Sequence, residues 1–156
     1  MPWEVSFRRE DGQQLGEVSL VCSGIEAALP ETRIYREWSG REKLEAATAQ
    51  GVEFPEVIRA AFEHQPAKIQ AYYQEDDLII VFYGFESEPL RQLHAEIRGN
   101  GNPAEALLRI CDQNAWQAID DSTGETINLR DPMPAGWQSF VKYRERTSDP
   151  NAGETA

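Results

Sequence analysis

The chain has 156 residues, of which 40% are hydrophobic and 10% aromatic. It is therefore long and apolar enough to form one domain with a hydrophobic core, and this composition excludes intrinsic disorder. It has no run close to the roughly 18 consecutive apolar residues of a membrane span, which excludes a transmembrane protein. The 27 acidic and 15 basic residues give a formal net charge of -12. This charge argues against nucleic-acid binding, because contacts to phosphates need a positive surface.

The N-terminal segment WEVSFR alternates between apolar and polar residues and predicts a half-buried strand, which the turn EDGQQLG follows. From Glu17 to Leu29 the apolar residues lie three or four positions apart, which predicts a helix that Pro30 ends. Two features oppose this helix. Its start, EVSLVC, also fits a hairpin strand, and Gly24 inside a helix costs about 1 kcal/mol relative to alanine. RIYREW then predicts a short strand.

The segment from 39 to 66 departs from this alternation of strands and helices. REKLEAATAQG predicts a helix that stops at Gly51, and PEVIRAAFEH predicts a second helix that begins at Pro55. The apolar side chains of the second helix fall on one face, namely Val57, Ile58, Ala61 and Phe62. We therefore expect a helical hairpin inserted into the fold.

Residues 68 to 98 predict an antiparallel meander of three strands. IQAYY, LIIVFYGF and LRQLHAEIR are separated by the turns EDD and SEP. The middle run is apolar at both parities, so we expect it to be the central strand, buried on both faces. We also expect the helical hairpin, or another subunit, to cover the face that the helices at 17 to 29 and 103 to 113 leave open.

A helix from Pro103 to about 113 follows, because Asn102 suits a cap, Pro103 suits the first helical position and Glu105 completes a capping box. WQAID predicts a further strand, and DDSTGE predicts a turn in which Gly124 supplies a positive φ. The segment from Trp137 to about 144 predicts a short helix or an irregular arm.

These elements predict an α+β fold with a mainly antiparallel sheet, helices packed on it, and the hairpin insertion. Residues 1–146 form the predicted single domain, and 147–156 the predicted disordered tail. Cys22 and Cys111 each sit in a predicted helix and are expected to be free thiols. With only two histidines, the chain has no zinc-ligand pattern, so we expect no metal and no cofactor.

The C-terminal half carries a pattern in which an arginine-glycine pair ends a strand, a helix follows, and a tryptophan strand runs into an Asp-x-x-Thr-Gly turn. The residues concerned are Arg98, Gly99, Trp116, Asp120, Thr123 and Gly124. In this pattern, and in its preceding order of elements, the chain resembles a group of small bacterial α+β proteins of uncharacterised function over roughly residues 15–129. The hairpin at 39–66 departs from the shorter members. The resemblance implies the fold and carries no activity.

A candidate binding face lies on the third meander strand, where Gln92, His94, Glu96 and Arg98 share one side. Tyr72 is out of phase with its apolar neighbours, so we expect it to stand on the same face unless the helical hairpin covers it. Tyrosine, histidine and arginine are typical of protein-binding patches. His94 beside a carboxylate also suits a general base, but no nucleophile motif accompanies it, and Arg98 has a carboxylate near Asp120 as an alternative partner.

Three functional hypotheses follow. The first is a non-catalytic, acidic domain that binds a macromolecule, such as an inhibitor or immunity-type protein for a basic partner. The second is an enzyme or small-ligand binder with a pocket between sheet and hairpin, and the third is a structural homodimer. Because the N-terminus shows no apolar signal-peptide region, we expect a cytoplasmic protein.

Overall fold

The computed structural model describes residues 2–86, 89–132 and 134–148. It contains six strands and five helices within those residues. The strands are β1 (Trp3–Arg9), β2 (Arg33–Glu37), β3 (Lys68–Glu75), β4 (Leu78–Tyr83), β5 (Leu93–Gly99) and β6 (Trp116–Asp120). The helices are α1 (Val18–Ala28), α2 (Gly40–Ala49), α3 (Glu56–Glu63), α4 (Ala104–Asn114) and α5 (Ala135–Ser148).

The six strands form one sheet in the order β2-β3-β4-β5-β1-β6, and every neighbouring pair is antiparallel. The predicted meander is confirmed as β3-β4-β5, with β4 in the interior of the sheet. The first strand of the chain enters between β5 and β6, so residues from both ends of the chain meet in the sheet. The α+β fold class is confirmed.

Helices α1 and α4 pack against each other and bury one face of the sheet. That face carries alternate residues of each strand, such as Val5 and Phe7 of β1, Ile80 and Phe82 of β4, and Leu93 of β5, all fully buried. The predicted helix at 17–29 is confirmed over 18–28. Its buried residues, Val18, Val21, Ile25 and Ala28, keep the spacing of three or four that favoured a helix over a strand.

Gly24 has a packing role in α1. A Cβ at this position would lie 2.2 Å from the side-chain oxygen of Asn114, at the end of α4. The Asn114 amide is held there because it donates to the carbonyls of Gly24 (3.2 Å) and Ile110 (2.9 Å). The mid-helix glycine therefore lets the two helices approach each other.

Gly24→Ala is accordingly expected to lower the free energy of unfolding by about 1–2 kcal/mol, although alanine is the better helix former, because Asn114 must give up hydrogen bonds to make room. Urea denaturation followed by circular dichroism measures the change. Ser19→Ala, at an exposed position of the same helix, is the control and should shift stability by about 0.5 kcal/mol or less. A more stable Gly24→Ala protein would contradict this packing.

The helical hairpin is confirmed as α2 and α3. Ser39 caps α2 in a capping box, in which the Glu42 N–H donates to Ser39 Oγ (3.2 Å). The Gly40 N–H donates to the Gln65 carbonyl (3.0 Å), which ties the start of the hairpin to its end. The rings of Phe54 and Phe62 lie 6.1 Å apart inside the hairpin. No residue of α3 is buried.

The C-terminal segment is the helix α5, whose buried Trp137 packs against Trp3 at a ring distance of 5.7 Å. The predicted tail begins at residue 147, but α5 runs to Ser148, so residues 147 and 148 are helical. Residues 149–156 lie outside the described residues. Among the described helices, none is both long and apolar enough to cross a bilayer.

Both cysteines are free thiols, as expected. Cys111 is buried in α4, and this burial, followed by the charges of Asp112 and Glu10, raises the pKa of its thiol to about 12. Burial and Glu26 also raise the pKa of the half-buried Cys22. Both environments are those of inert structural cysteines, since the thiolate is the reactive form.

Candidate protein-binding face

The sheet has a second face, turned away from α1 and α4, which we call the open face. Its residues are the alternate positions that the core does not use: Glu4, Ser6 and Arg8 of β1, Arg33 and Tyr35 of β2, Gln70, Tyr72 and Gln74 of β3, Ile79, Val81 and Tyr83 of β4, and His94, Glu96 and Arg98 of β5. The alternation is clearest in β5, where Leu93, Ala95 and Ile97 are fully buried while their neighbours are not.

An apolar strip crosses the middle of the open face. It consists of Tyr35, Tyr72, Ile79, Val81 and Tyr83. Tyr72 lies directly opposite Val81 on the neighbouring strand, and its ring meets the edge of Tyr35 at 5.5 Å. Tyr35 and Tyr72 are 55% and 38% exposed. A groove of about 640 Å³ runs over the strip between Tyr72 and Arg98.

From the sequence we expected the hairpin of the same chain, or another subunit, to cover this face. In the structure the hairpin of the same chain does not cover it. The grooves over the strip are lined by strand residues together with Glu31 and Glu86, and by none of the described hairpin residues. The apolar stripe of α3 is also unburied, with Val57 82% exposed. The physical reason is that the two ends of the hairpin are held close together by a backbone hydrogen bond. The Gly40 backbone packs directly on the Phe62 carbonyl, which holds α2 and α3 against each other at the ends of β2 and β3.

A chain of hydrogen bonds runs across the open face. Ser6 Oγ donates to Asp121 Oδ1 at 2.6 Å and lies 3.1 Å from His94 Nδ1. His94 Nε2 lies 3.4 Å from Gln92 Nε2, and Gln92 Oε1 accepts from Arg8 Nε at 3.3 Å. Since the carboxylate takes the only proton of the serine hydroxyl, His94 Nδ1 must be the donor to Ser6. Gln92 then donates to His94 Nε2, so His94 is assigned as neutral with its proton on Nδ1.

This arrangement differs from that of a catalytic serine. In a catalytic triad the histidine stands between the serine and the carboxylate and accepts the serine proton. Here Ser6 stands between His94 and Asp121, and the proton goes to the carboxylate. Ser6 is also almost completely buried, at 3% exposure. The chain of bonds therefore fixes the orientation of the polar side chains without activating a nucleophile.

The strand residues beside His94 form a separate pair. Arg98 donates to Glu96 at 2.6 Å, so the partner of Arg98 is Glu96 and not a carboxylate near Asp120. Asp120 is buried and accepts from the backbone and side chain of Ser122. His94 instead stacks on Tyr83, with ring centroids 5.4 Å apart and planes at 23°.

Three neighbouring carboxylates lie on the open face, and we call them the carboxylate row: Glu4, Glu96 and Asp121. Glu96 lies directly opposite Glu4, an unfavourable pairing of like charges, and the N–H of Asp121 donates to the Glu4 carbonyl at 3.1 Å. Burial first, and then the charges of all three carboxylates, raise the pKa of Tyr83. The row therefore gives the centre of the face a negative potential.

All five residues of the sequence-predicted face lie on the open face or at its margin. His94, Glu96 and Arg98 alternate along β5, Gln92 lies just before its first residue, and Tyr72 stands two strands away, beyond Val81. Sequence reasoning missed the residues that other strands bring to the same face, above all Tyr35, Ser6 and Asp121. The alternations of RIYRE around Tyr35 and of WEVSFR around Ser6 were the available signals.

The other sequence features that suited ligands have structural roles. Asn102 accepts from the Ala104 N–H at 2.9 Å at the start of α4, and Gly124 takes a φ of +73 in its turn. In the part of the chain that the structure describes, no group of three or more His, Cys, Asp or Glu residues is arranged to hold a metal ion.

Comparisons with protein-family models, with curated proteins and with solved structures find no match to this chain. The resemblance to small bacterial α+β proteins therefore stays a prediction. The structure places its residues at the end of β5 (Arg98, Gly99), at the two ends of β6 (Trp116, Asp120) and in the turn that follows (Thr123, Gly124).

Proposed function

We propose that this protein is a non-catalytic domain that binds a basic protein on the open face of its sheet. One observation carries the proposal: the sheet is packed by helices on one face, while the other presents the exposed rings of Tyr35 and Tyr72 beside the half-buried Ile79 and Tyr83, and no helix among the described residues lies over them. Exposed aromatic and aliphatic patches of this kind are typical of interaction sites, and tyrosine is enriched among the residues that dominate binding energy.

The charge of the face supports a cationic partner. The carboxylate row borders the apolar strip, and the only cation paired with it in the described residues is Arg98. Lysine or arginine side chains of a partner would relieve the repulsion within the row, and they would also stack on the strip tyrosines. The overall charge of -12 would steer such a partner toward the domain and repel nucleic acids.

The hydrogen-bond chain supports binding over catalysis. A binding surface gains affinity when its side chains are held in place before the partner arrives. Hydrogen bonds order Arg8, Gln92, His94 and Ser6, and Ser6 donates its proton to Asp121, so His94 is not arranged to activate it as a nucleophile. We also propose a cytoplasmic setting, in keeping with the two unpaired cysteines.

Affinity purification from cells that produce the protein tests the proposal. The wild type should retain a basic protein at low salt and release it as salt screens the charges. Replacing both Tyr35 and Tyr72 with alanine should weaken this binding by about 30-fold, the equivalent of about 2 kcal/mol at two central aromatics.

The matched control is Leu20→Ala, because Leu20 is 65% exposed on α1, which covers the other face of the sheet. This variant should retain the partner as the wild type does. A protein captured equally by the wild type and both variants, or one lost only with Leu20→Ala, would contradict binding on the open face.

A further inference from the structure

Strand β2 forms one edge of the sheet, and β6 forms the other. The segment after β6 closes its outer side, because the Ile127 N–H donates to the Ala118 carbonyl (2.8 Å) and the Asp120 N–H donates to the Glu125 carbonyl (2.9 Å). Among the described residues, no backbone hydrogen bond of this kind reaches the outer side of β2. An edge left in this state can pair with a strand of another chain.

The ladder determines which backbone groups of β2 point outward. Glu75 and Leu78 flank a two-residue turn and so form a hydrogen-bonded pair, and such pairs alternate along an antiparallel ladder. Counted across β3, Tyr35 directs its N–H and C=O inward, whereas Ile34 and Arg36 direct theirs out of the sheet. Followed to the other edge, the same alternation correctly gives the two outward residues of β6.

The outward groups of β2 fit those of a second β2 in antiparallel register. Ile34 of each copy then faces the partner's Arg36, and their outward groups form four hydrogen bonds. Tyr35 faces the partner's Tyr35, and on both sides of this pair Arg33 faces the partner's Glu37. Arg33, Tyr35 and Glu37 share one face of the sheet because they are alternate residues, and all three are exposed.

The charges of β2 favour this register over the neighbouring ones. Opposite charges directly across a ladder attract, and like charges repel. A shift of two residues in one direction would set Arg36 opposite the partner's Arg36, and a shift in the other would set Glu31 opposite the partner's Glu37. Charged residues usually protect an edge from pairing, but those of β2 attract a second copy of themselves.

The surroundings of β2 also differ in charge from the rest of the chain. Four basic and three acidic residues lie between positions 31 and 43, although the whole chain carries a charge of -12. Two copies that meet at this edge therefore keep most of their negative charge apart.

We propose that the occupant of this edge is a second copy of the chain, and that two β2 strands pair about Tyr35 to form one continuous sheet. The contact is isologous, with the same groups from each copy. Because β2 has only five residues, the dimer is weak and forms as the protein concentration rises. This pairing goes beyond the proposed function, and it leaves the open face of each copy accessible.

Light scattering at protein concentrations up to about 1 mM tests the pairing. The wild type should move from the monomer mass of 17.7 kDa toward twice that mass. Arg33→Glu and Glu37→Arg each replace two attractive contacts of the dimer with repulsive ones, so each should weaken dimerisation by about 30-fold. The first variant is more acidic than the wild type and the second less acidic, so a change in net charge does not account for a loss in both.

A mixture of the two variants tests the register. In a mixed pair the two substituted positions face each other and the two native residues face each other, so both contacts are attractive again. The mixture should therefore dimerise as the wild type does. Arg130→Glu is the control, because it makes the same change of charge at a side chain that is 76% exposed beyond the other edge of the sheet. It should leave dimerisation unchanged.

Amide hydrogen exchange locates the contact within the chain. The N–H groups of Ile34 and Arg36 should exchange about 10-fold more slowly once about nine-tenths of the protein is paired. The N–H of Tyr35 is already bonded to β3 and should change far less. Protection that omits Ile34 and Arg36 would place the dimer contact elsewhere and overturn the proposal.

Three results of the scattering experiment would also overturn it: a wild type that stays monomeric at every concentration, single variants that dimerise as well as the wild type, or a mixture that stays monomeric. The Arg33→Glu protein keeps Tyr35, Tyr72 and the carboxylate row. Its capture of a basic partner therefore tests the proposed function separately from the dimer.

Discussion

Gly99→Ala is expected to lower the free energy of unfolding by about 3 kcal/mol, the sum of a backbone held at positive φ and a steric clash. Gly99 ends β5 with a φ of +85, and a Cβ there would lie 1.8 Å from the Asp77 carbonyl oxygen. That carbonyl already accepts from the N–H groups of Asn100 (2.9 Å) and Gly101 (3.2 Å). The clash is therefore with backbone that cannot rotate away.

Gly124→Ala separates the two causes. Gly124 has a similar φ of +73, but a Cβ there would meet nothing within 4 Å. This variant should lose about 1 kcal/mol, from the backbone conformation alone. Chemical denaturation of both variants gives the comparison. Equal losses at the two positions would show that the turn between β3 and β4, which contains Asp77, has room for a Cβ at Gly99 that the structure does not give it.

Two neighbouring residues of β4 should respond very differently to alanine. Ile80 is fully buried under the helices, so Ile80→Ala should cost about 3–4 kcal/mol, through lost burial and the cavity that remains. Val81 lies on the open face, where the side chains of Tyr72 and Glu96 on adjacent strands shield it. Because these can relax into the space, Val81→Ala should cost about 1 kcal/mol.

Denaturant midpoints of the two variants measure this difference. Isoleucine has one methylene group more than valine, and this accounts for about 1 kcal/mol of the difference between the two variants. The remainder reflects the relaxation of the side chains around Val81. A loss at Val81 as large as that at Ile80 would mean that a packed layer covers the open face in solution.

The sequence determines much of the fold because its patterns are local. Spacings of three and four along Val18, Val21 and Ile25 distinguish α1 from a strand, and Asn102, which accepts from the Ala104 N–H, marks where α4 begins. The full apolar run of β4 correctly predicts an interior strand. The same run does not say what covers its second face, because that depends on where the hairpin is held.

The sequence predicts only the part of the candidate site that lies along a single strand. His94, Glu96 and Arg98 alternate along β5 and are visible in the sequence as one face. Ser6 and Asp121 are 115 residues apart and meet only because β1 inserts between β5 and β6. The carboxylate row likewise needs the register that sets Glu4 opposite Glu96, which no local pattern specifies.

Site-specific photo-crosslinking in producing cells tests the binding role of the open face most directly. A photoreactive phenylalanine at position 72 should yield an adduct with a basic protein. The same group at position 20, on the outer side of α1, should not. Adducts formed at position 20 and absent at position 72 would contradict the open face as the binding surface.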